Sequence, residues 1–287
     1  MNISSHRTRK HPANGRPWAT AVFLALALLS GMAAAQGAAM VDPASAVHVA
    51  SAGGVVEASF RVMNPTANAL TVRLYLSDWG FNPVGDFTFA DPGSQPSSAS
   101  DWIVFDPPTA VVPPNSGVDV AYTVAVPPDA EPGSHWSVLF VETEPSAPEP
   151  GQPTATFTVR VGHIVYVNVG QGESSGAILG IFGEPPAVAT DPYRLYVQYA
   201  NTGNVVQGLE GRLSLRDRTG AVVLESDLER QVVLPGSERA VRVNLYGPLP
   251  AGDYTALVVL DYGDADVEVA GAYDLALEID LEDPRTP

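Results

Sequence analysis

A Gly-x-Ser-x-Gly pattern at residues 172–176 matches the motif that carries the nucleophile in many hydrolases. In those enzymes the serine sits on a sharp turn between a strand and a helix, and the turn exposes the hydroxyl. Here Ser174 is followed by residues 177–182 and then by Gly183 and Pro185, a run too short and too broken for that helix. The sequence therefore favours a flexible linker, and no catalytic residue is predicted.

Metal binding is the second kind of chemistry that the residue types suggest. Beyond the first 35 residues the histidines are His48, His135 and His163, and none is at metal-ligand spacing from another. The acidic segment 261–268 is dense enough in carboxylates to hold Ca²⁺, but Gly263 precedes the later acids instead of following them as in a calcium loop. We therefore predict a solvated hairpin loop, no metal site and no other cofactor.

The first 35 residues have the three parts of a secretory signal. A segment with Arg7, Arg9, Lys10 and Arg16 precedes an apolar core at residues 19–32 and a small-residue cleavage site at 33–35. The apolar core is short for a membrane-spanning helix, so a cleaved signal is favoured over an uncleaved anchor. We expect an exported protein, periplasmic or extracellular, without stable membrane insertion.

The chain is strongly acidic, with a formal net charge of −17 at pH 7. Loss of the basic leader would make the remaining protein more acidic still. Such a charge disfavours nucleic acid as a partner, because that affinity depends on neutralising phosphates. There is no cysteine, so the fold must be held by sheet packing without disulfides.

The central stretch of the sequence is residues 154–169, where side chains alternate as in a half-buried strand. One face is apolar except for one histidine, which we expect to be a hydrogen-bonded core residue; this face holds Phe157, Val159, Val161, His163, Val165, Val167 and Val169. The other face is mixed and includes Arg160, Ile164 and Tyr166. This mixed face could meet either water or a partner.

Short β-rich runs separated by turn residues follow from residue 47 onward, as in a β-sandwich. Residues 55–63 and 69–76 are predicted to pair around a turn at 64–68. The second half repeats the first: residues 111–116 align with 232–237, and Asn64 with Asn201. His135 aligns with Tyr254, which we expect to fix a corner by bonding upstream backbone.

Segments 102–108, 112–116, 126–136 and the strand from Thr154 resemble the PapD-like periplasmic chaperones of pilus assembly and related immunoglobulin-like envelope proteins. The resemblance and the strand pattern together predict an all-β protein of two tandem immunoglobulin-like β-sandwich domains after a cleaved signal peptide. The predicted boundaries are 1–35 for the signal, 36–169 for domain 1 and 170–287 for domain 2.

The resemblance implies a non-enzymatic protein that captures pilus or surface-fibre subunits by β-strand addition, in which main-chain hydrogen bonds join the two proteins. On this hypothesis Arg160, Ile164 and Tyr166 contact the partner. The alternative is a structural cell-envelope protein that binds peptidoglycan, a cell-wall component, or scaffolds a surface complex. An exported hydrolase using Ser174 is the third hypothesis.

Overall fold

The computed structural model describes residues 39–82, 85–144, 158–263 and 268–284. These residues form seventeen β-strands and one short 3₁₀ helix, Ser100–Trp102. Within them, exposed and buried side chains alternate along strands such as Val55–Asn64, as expected where one face of a sheet meets a core. The predicted signal at 1–35 lies outside the described residues. Residues 35–287 form one compact unit.

The first half of the chain forms two sheets packed face to face. Its strands are β1 (Met40–Asp42), β2 (Ser45–Ala50), β3 (Val55–Asn64), β4 (Leu70–Phe81), β5 (Phe87–Ala90), β6 (Ile103–Phe105), β7 (Thr109–Val112), β8 (Ser116–Ala125), β9 (Gly133–Thr143) and β10 (Arg160–Val169). One sheet has the order β1-β3-β8-β6, and the other β2-β10-β9-β4-β5, with β7 also paired to β4. These orders match the A-B-E-D and G-F-C sheets of an immunoglobulin-like sandwich.

The second half repeats this plan with seven strands. They are β11 (Gly176–Glu184), β12 (Tyr193–Asn201), β13 (Gln207–Asp217), β14 (Val222–Val233), β15 (Glu238–Leu245), β16 (Gly252–Asp261) and β17 (Glu268–Leu277). They form a three-stranded sheet, β11-β12-β15, and a four-stranded sheet, β14-β13-β16-β17. The fold is therefore all-β, with two tandem immunoglobulin-like sandwiches, as predicted.

The predicted pairing of residues 55–63 with 69–76 is wrong. Strand β3 pairs with β8 and β1, whereas β4 belongs to the opposite sheet and pairs with β9. The turn between them is an arch from one sheet to the other. Asn64 holds the arch, because its buried side-chain amide donates to the carbonyls of Asn68 at 2.7 Å and Val112 at 3.0 Å.

The predicted internal repeat is visible in matching hydrogen bonds. Asn201 repeats the arch of the first half, donating to the carbonyls of Val205 at 2.8 Å and Val233 at 3.0 Å. At the start of β16, the Tyr254 hydroxyl donates to the Pro250 carbonyl at 2.8 Å. The two arches therefore have the same side-chain chemistry.

The corner of the first half uses a histidine where the second half uses a tyrosine. The His135 Nε2 atom lies 3.0 Å from the Glu131 carbonyl, again four residues upstream. Both predicted corner residues are therefore within hydrogen-bond distance of a backbone carbonyl that precedes their own strand.

We expect Tyr254→Phe to lower the free energy of unfolding by about 1 kcal/mol, the usual net value of one hydrogen bond. The substitution keeps the ring, which is 8% exposed, and removes the bond to Pro250. Urea denaturation measures the change. Tyr246→Phe is the matched control, since Tyr246 is 38% exposed. Equal effects of the two substitutions would contradict a corner role for Tyr254.

Each sandwich has its own apolar core. On β10, Val165, Val167 and Val169 are buried in the core of the first sandwich together with the fully buried His163. The predicted inner face is therefore confirmed for these four residues. The strand is described from Arg160 onward, and the predicted residues 154–157, including Phe157, lie outside the described residues.

A third apolar cluster joins the two halves. It combines Trp79, Trp136 and Tyr166 of the first sandwich with Leu234 of the second. The connecting segment 172–175 is fixed by hydrogen bonds, for example between the Glu173 amide and the Asn204 side chain at 2.6 Å. The expected flexible linker is therefore a bonded connection, and separate folding of 36–169 and 170–287 stays a prediction.

Candidate functional site

Strand β10 is paired along one side and only partly paired along the other. Strand β9 accompanies it antiparallel over its whole length, from Arg160 to Val169. On the opposite side β2 runs parallel to it, but only from Ile164 onward. The Ile164 amide makes the first bond on that side, donating to the Ala44 carbonyl at 2.9 Å. The part of β10 before Ile164 is therefore a sheet edge among the described residues.

The direction of the free backbone groups follows from strand geometry. Alternate residues of a β-strand present their N–H and C=O groups to the same side. Since the Ile164 amide faces β2, the backbone groups of Gly162 and Arg160 also face away from β9. Within the described residues no strand pairs with them there. This segment, Arg160 to Gly162, is called the open edge below.

Aromatic side chains lie beside the open edge on its outer face. The Arg160 guanidinium lies 4.3 Å from the ring centroid of Phe140 and 5.0 Å from that of Phe89. Gly162 has no side chain, and a Cβ there would lie 2.6 Å from Val138 Cγ2. The side chains of Val138 and Phe140 can therefore lie across β10, where both are buried. The exposed ring beside the edge is that of Phe89, at 45%.

An ion pair borders this aromatic surface. Arg73 donates to Glu142 at 2.8 Å, and the Tyr75 hydroxyl donates to the same carboxylate at 2.7 Å. These bonds, with that from Arg73 the larger effect, lower the pKa of Glu142 below its ordinary value. Glu142 thus stays ionised and bound to Arg73, while Arg160 has no carboxylate in ion-pair contact among the described residues.

The structure places the three residues predicted to contact a partner in different environments. Arg160 is exposed at the open edge, and Ile164 is half-buried where β2 begins. Tyr166 is 9% exposed and packs with Trp79 and Leu234, and its burial raises its pKa to about 12. The second sandwich covers the far end of this face, so the face meets water or a partner only in part. Contact of the three residues with a partner stays a prediction.

His163 is part of a chain of hydrogen bonds on the inner face of β10. Its Nδ1 lies 2.7 Å from the Pro43 carbonyl and its Nε2 3.1 Å from the Tyr122 hydroxyl, which lies 2.8 Å from His48 Nε2. The chain ties β2 and the segment before it to β8 and β10. The predicted role of His163 as a hydrogen-bonded core residue is confirmed.

The motif at residues 172–176 does not form a nucleophile elbow. Ser174 is followed by strand β11, and its hydroxyl accepts a hydrogen bond from Gln207 at 3.2 Å. A strand, and not a helix, follows the serine, so the sharp strand-to-helix turn that exposes a nucleophile is not formed here.

The acidic turn lies between β16 and β17, which pair as an antiparallel hairpin. Residues 264–267 of that turn lie outside the described residues. Elsewhere, the described His, Asp and Glu side chains include no group of three that could hold a metal ion.

Sequence reasoning missed the surroundings of the outer face. Trp79, Phe87 and Phe89 come from the hairpin that β4 and β5 form. Arg239 belongs to the second sandwich, and its guanidinium lies 3.9 Å from the Phe81 ring centroid. No local signal brings these residues together, because their contacts cross between sheets and between halves of the chain.

No family model matches this sequence, and no curated protein matches it. In the described part of the chain, no helix is long and apolar enough to cross a membrane.

Several solved structures are similar to this chain. The class 5 fimbriae chaperone CfaA is 11% identical, with a TM-score of 0.45, over 83% of this chain and 98% of that chain. The E. coli chaperone DraB is 16% identical, with a TM-score of 0.39, over 82% and 98%. A chain from the Salmonella enterica complex of SafA pilin with the SafB chaperone is 13% identical, with a TM-score of 0.41, over 82% and 96%. The strand order of the chain itself assigns the fold.

Proposed function

We propose that this chain is a non-enzymatic, exported protein that captures pilus or surface-fibre subunits by β-strand addition at the open edge of β10. In this mode a partner strand supplies the hydrogen bonds that the sheet edge lacks. The observation that carries the proposal is that no described strand pairs with the outward backbone groups of Arg160 and Gly162, next to the point where β2 begins to pair with β10.

The surroundings of the open edge suit an added strand. A partner strand there would lie end to end with β2, because the Ile164 amide, next to the open edge, already donates to the Ala44 carbonyl just before β2. Its outward side chains would meet Arg160 and the exposed ring of Phe89. Arg160 would contact the partner directly. Ile164 and Tyr166 lie further along the same face and would contact the partner less.

A scaffold role in the cell envelope is the second candidate. It is favoured by β2, an edge strand whose Val47 and Val49 are 62% and 76% exposed. Exposed apolar residues on a sheet edge are typical of strands that meet another chain. Pelleting with purified peptidoglycan, in the absence of any fibre subunit, would support this candidate over subunit capture.

Two substitutions at one position test strand addition. Arg160→Ala removes the side chain, and Arg160→Pro also removes the outward N–H without removing a bond to β9. We expect Arg160→Ala to keep part of the capture of a co-expressed fibre subunit, and Arg160→Pro to weaken it by a further factor of about three to ten. Co-purification measures capture, and circular dichroism checks that both variants fold. If the two variants capture the subunit equally well, the backbone edge does not carry the binding.

A further inference from the structure

A cavity of about 260 Å³ lies between the two sandwiches, away from the open edge. Four aromatic residues, Trp79, Phe81, Phe87 and Tyr166, line it from the first sandwich. Arg239 and Arg230 line it from the second. Pockets that bind drug-sized molecules usually measure roughly 300–1,000 Å³, so this cavity suits a smaller molecule. Its walls combine rings with positive charge.

Arg239 carries a partly buried charge without a carboxylate. Its guanidinium donates to the Gly85 carbonyl and to the Gln231 side chain, both at 3.1 Å, and neither acceptor is charged. Burial lowers its pKa. No described carboxylate forms an ion pair with it, although the chain has 32 acidic residues and 15 basic ones. The half-buried guanidinium also lies over the Phe81 ring, and with no carboxylate in contact it can still pair with an anion.

Trp79 lines the same cavity and has an unmet polar group of its own. The residue is 1% exposed, and its indole N–H has no acceptor in the described structure. Its own carbonyl is satisfied, since it accepts from Trp136 Nε1 at 2.9 Å. Buried donors are paired in the large majority of cases, so an unpaired one needs an explanation. The indole nitrogen of Trp79 has almost no accessible surface, so a ligand in the cavity would contact other atoms of Trp79.

We propose that this cavity binds a small aromatic carboxylic acid. The carboxylate would take the remaining donors of Arg239, since guanidinium and carboxylate groups form paired, charge-assisted hydrogen bonds. The ring of the ligand would pack among Trp79, Phe81 and Phe87 in the offset or edge-on arrangements that aromatic pairs prefer. This site does not use the open edge of β10, but Ile164 and Tyr166, which are predicted to contact a captured subunit, also line the cavity. Binding of the acid is therefore measured on the purified protein without any subunit.

Phenylacetate and its uncharged analogue phenylacetamide test the proposal directly. Titration of the purified protein, followed by calorimetry and tryptophan fluorescence, should show phenylacetate binding at least about tenfold more tightly than the amide. Arg239→Gln should remove that difference. Arg242→Gln, an exposed position on the same strand, should preserve it. Phe87→Ala should weaken both ligands alike, and Phe87 is 57% exposed, so folding should tolerate the change.

Three results would overturn the assignment. The first is equal binding of phenylacetate and phenylacetamide, and the second is an equal effect of the substitutions at Arg239 and Arg242. The third is binding of a capped Phe-Glu dipeptide without binding of phenylacetate, which would make the cavity a docking point for a protein side chain. Melting curves of each variant, recorded alongside, separate loss of binding from loss of folding.

Discussion

Replacing Val165 by Asp is expected to unfold the first sandwich. Val165 has no exposed surface and lies in the apolar core with Val167 and Leu139. A carboxylate at this position would have no charged partner, and burying a polar group without compensation costs several kcal/mol. A domain is commonly stable by about 5–15 kcal/mol in total, so the change consumes much of that margin. Circular dichroism during heating measures the loss.

Asn168→Asp is the matched control for this substitution. It introduces a carboxylate on the same strand, but on the opposite, half-buried face. The Asn168 side chain accepts a hydrogen bond from the Ser134 hydroxyl at 2.6 Å, and an aspartate oxygen can accept the same bond. We expect this variant to melt close to the parent protein. If the two variants melt alike, the assignment of inner and outer faces to β10 is wrong.

The features that the sequence predicted well are those encoded over a few residues. Alternation along β10 predicted which side chains enter the core, including His163, because strand geometry fixes that pattern locally. The corner bond of Tyr254 was predictable from the Gly-Asp-Tyr start of its strand. The arches at Asn64 and Asn201 were located by turn chemistry, although their sheet assignment was not.

The features that the sequence did not predict depend on contacts between distant residues. The mixed face of β10 was expected to meet either water or a partner, yet Tyr166 is covered by Leu234, which lies in the other half of the chain. Strand β2 pairs with β10 in parallel, and nothing in the composition of residues 45–50 specifies that partner. The open edge exists because β2 stops short of Arg160, so it could be found only after the pairing was known.

The protein is expected to lose stability as pH falls below about 6.5, the ordinary pKa of histidine, because of the buried chain from Pro43 to His48. Only a protonated Nδ1 of His163 can donate to the Pro43 carbonyl. In neutral His163 the Nε2 atom then accepts from the Tyr122 hydroxyl, whose oxygen accepts from His48. Every group is satisfied while both histidines are neutral.

The environment of His163 opposes its protonation. Burial lowers the pKa of His163, partly offset by the bond to Pro43, and burial also lowers the pKa of His48. The titratable groups that face His163 are Tyr122, whose pKa burial raises to about 12, and His48, so no carboxylate stabilises a positive charge there. The Phe60 ring covers the remaining face, with its centroid 4.4 Å from that of the imidazole.

The sign of the effect follows from linkage between protons and folding. Between the lowered pKa of the folded state and the ordinary value near 6.5, the unfolded chain binds more protons than the folded one, so stability rises with pH there. The contribution is complete above that window and is lost as pH falls through it. The urea concentration at the midpoint of unfolding should therefore decrease as the pH is lowered from 7.5 to 5. In the His163→Gln variant this decrease should be smaller. If His163→Gln instead preserves the full pH dependence, then the acidic loss of stability arises elsewhere, and the β2 attachment is not the part of the fold that acid weakens.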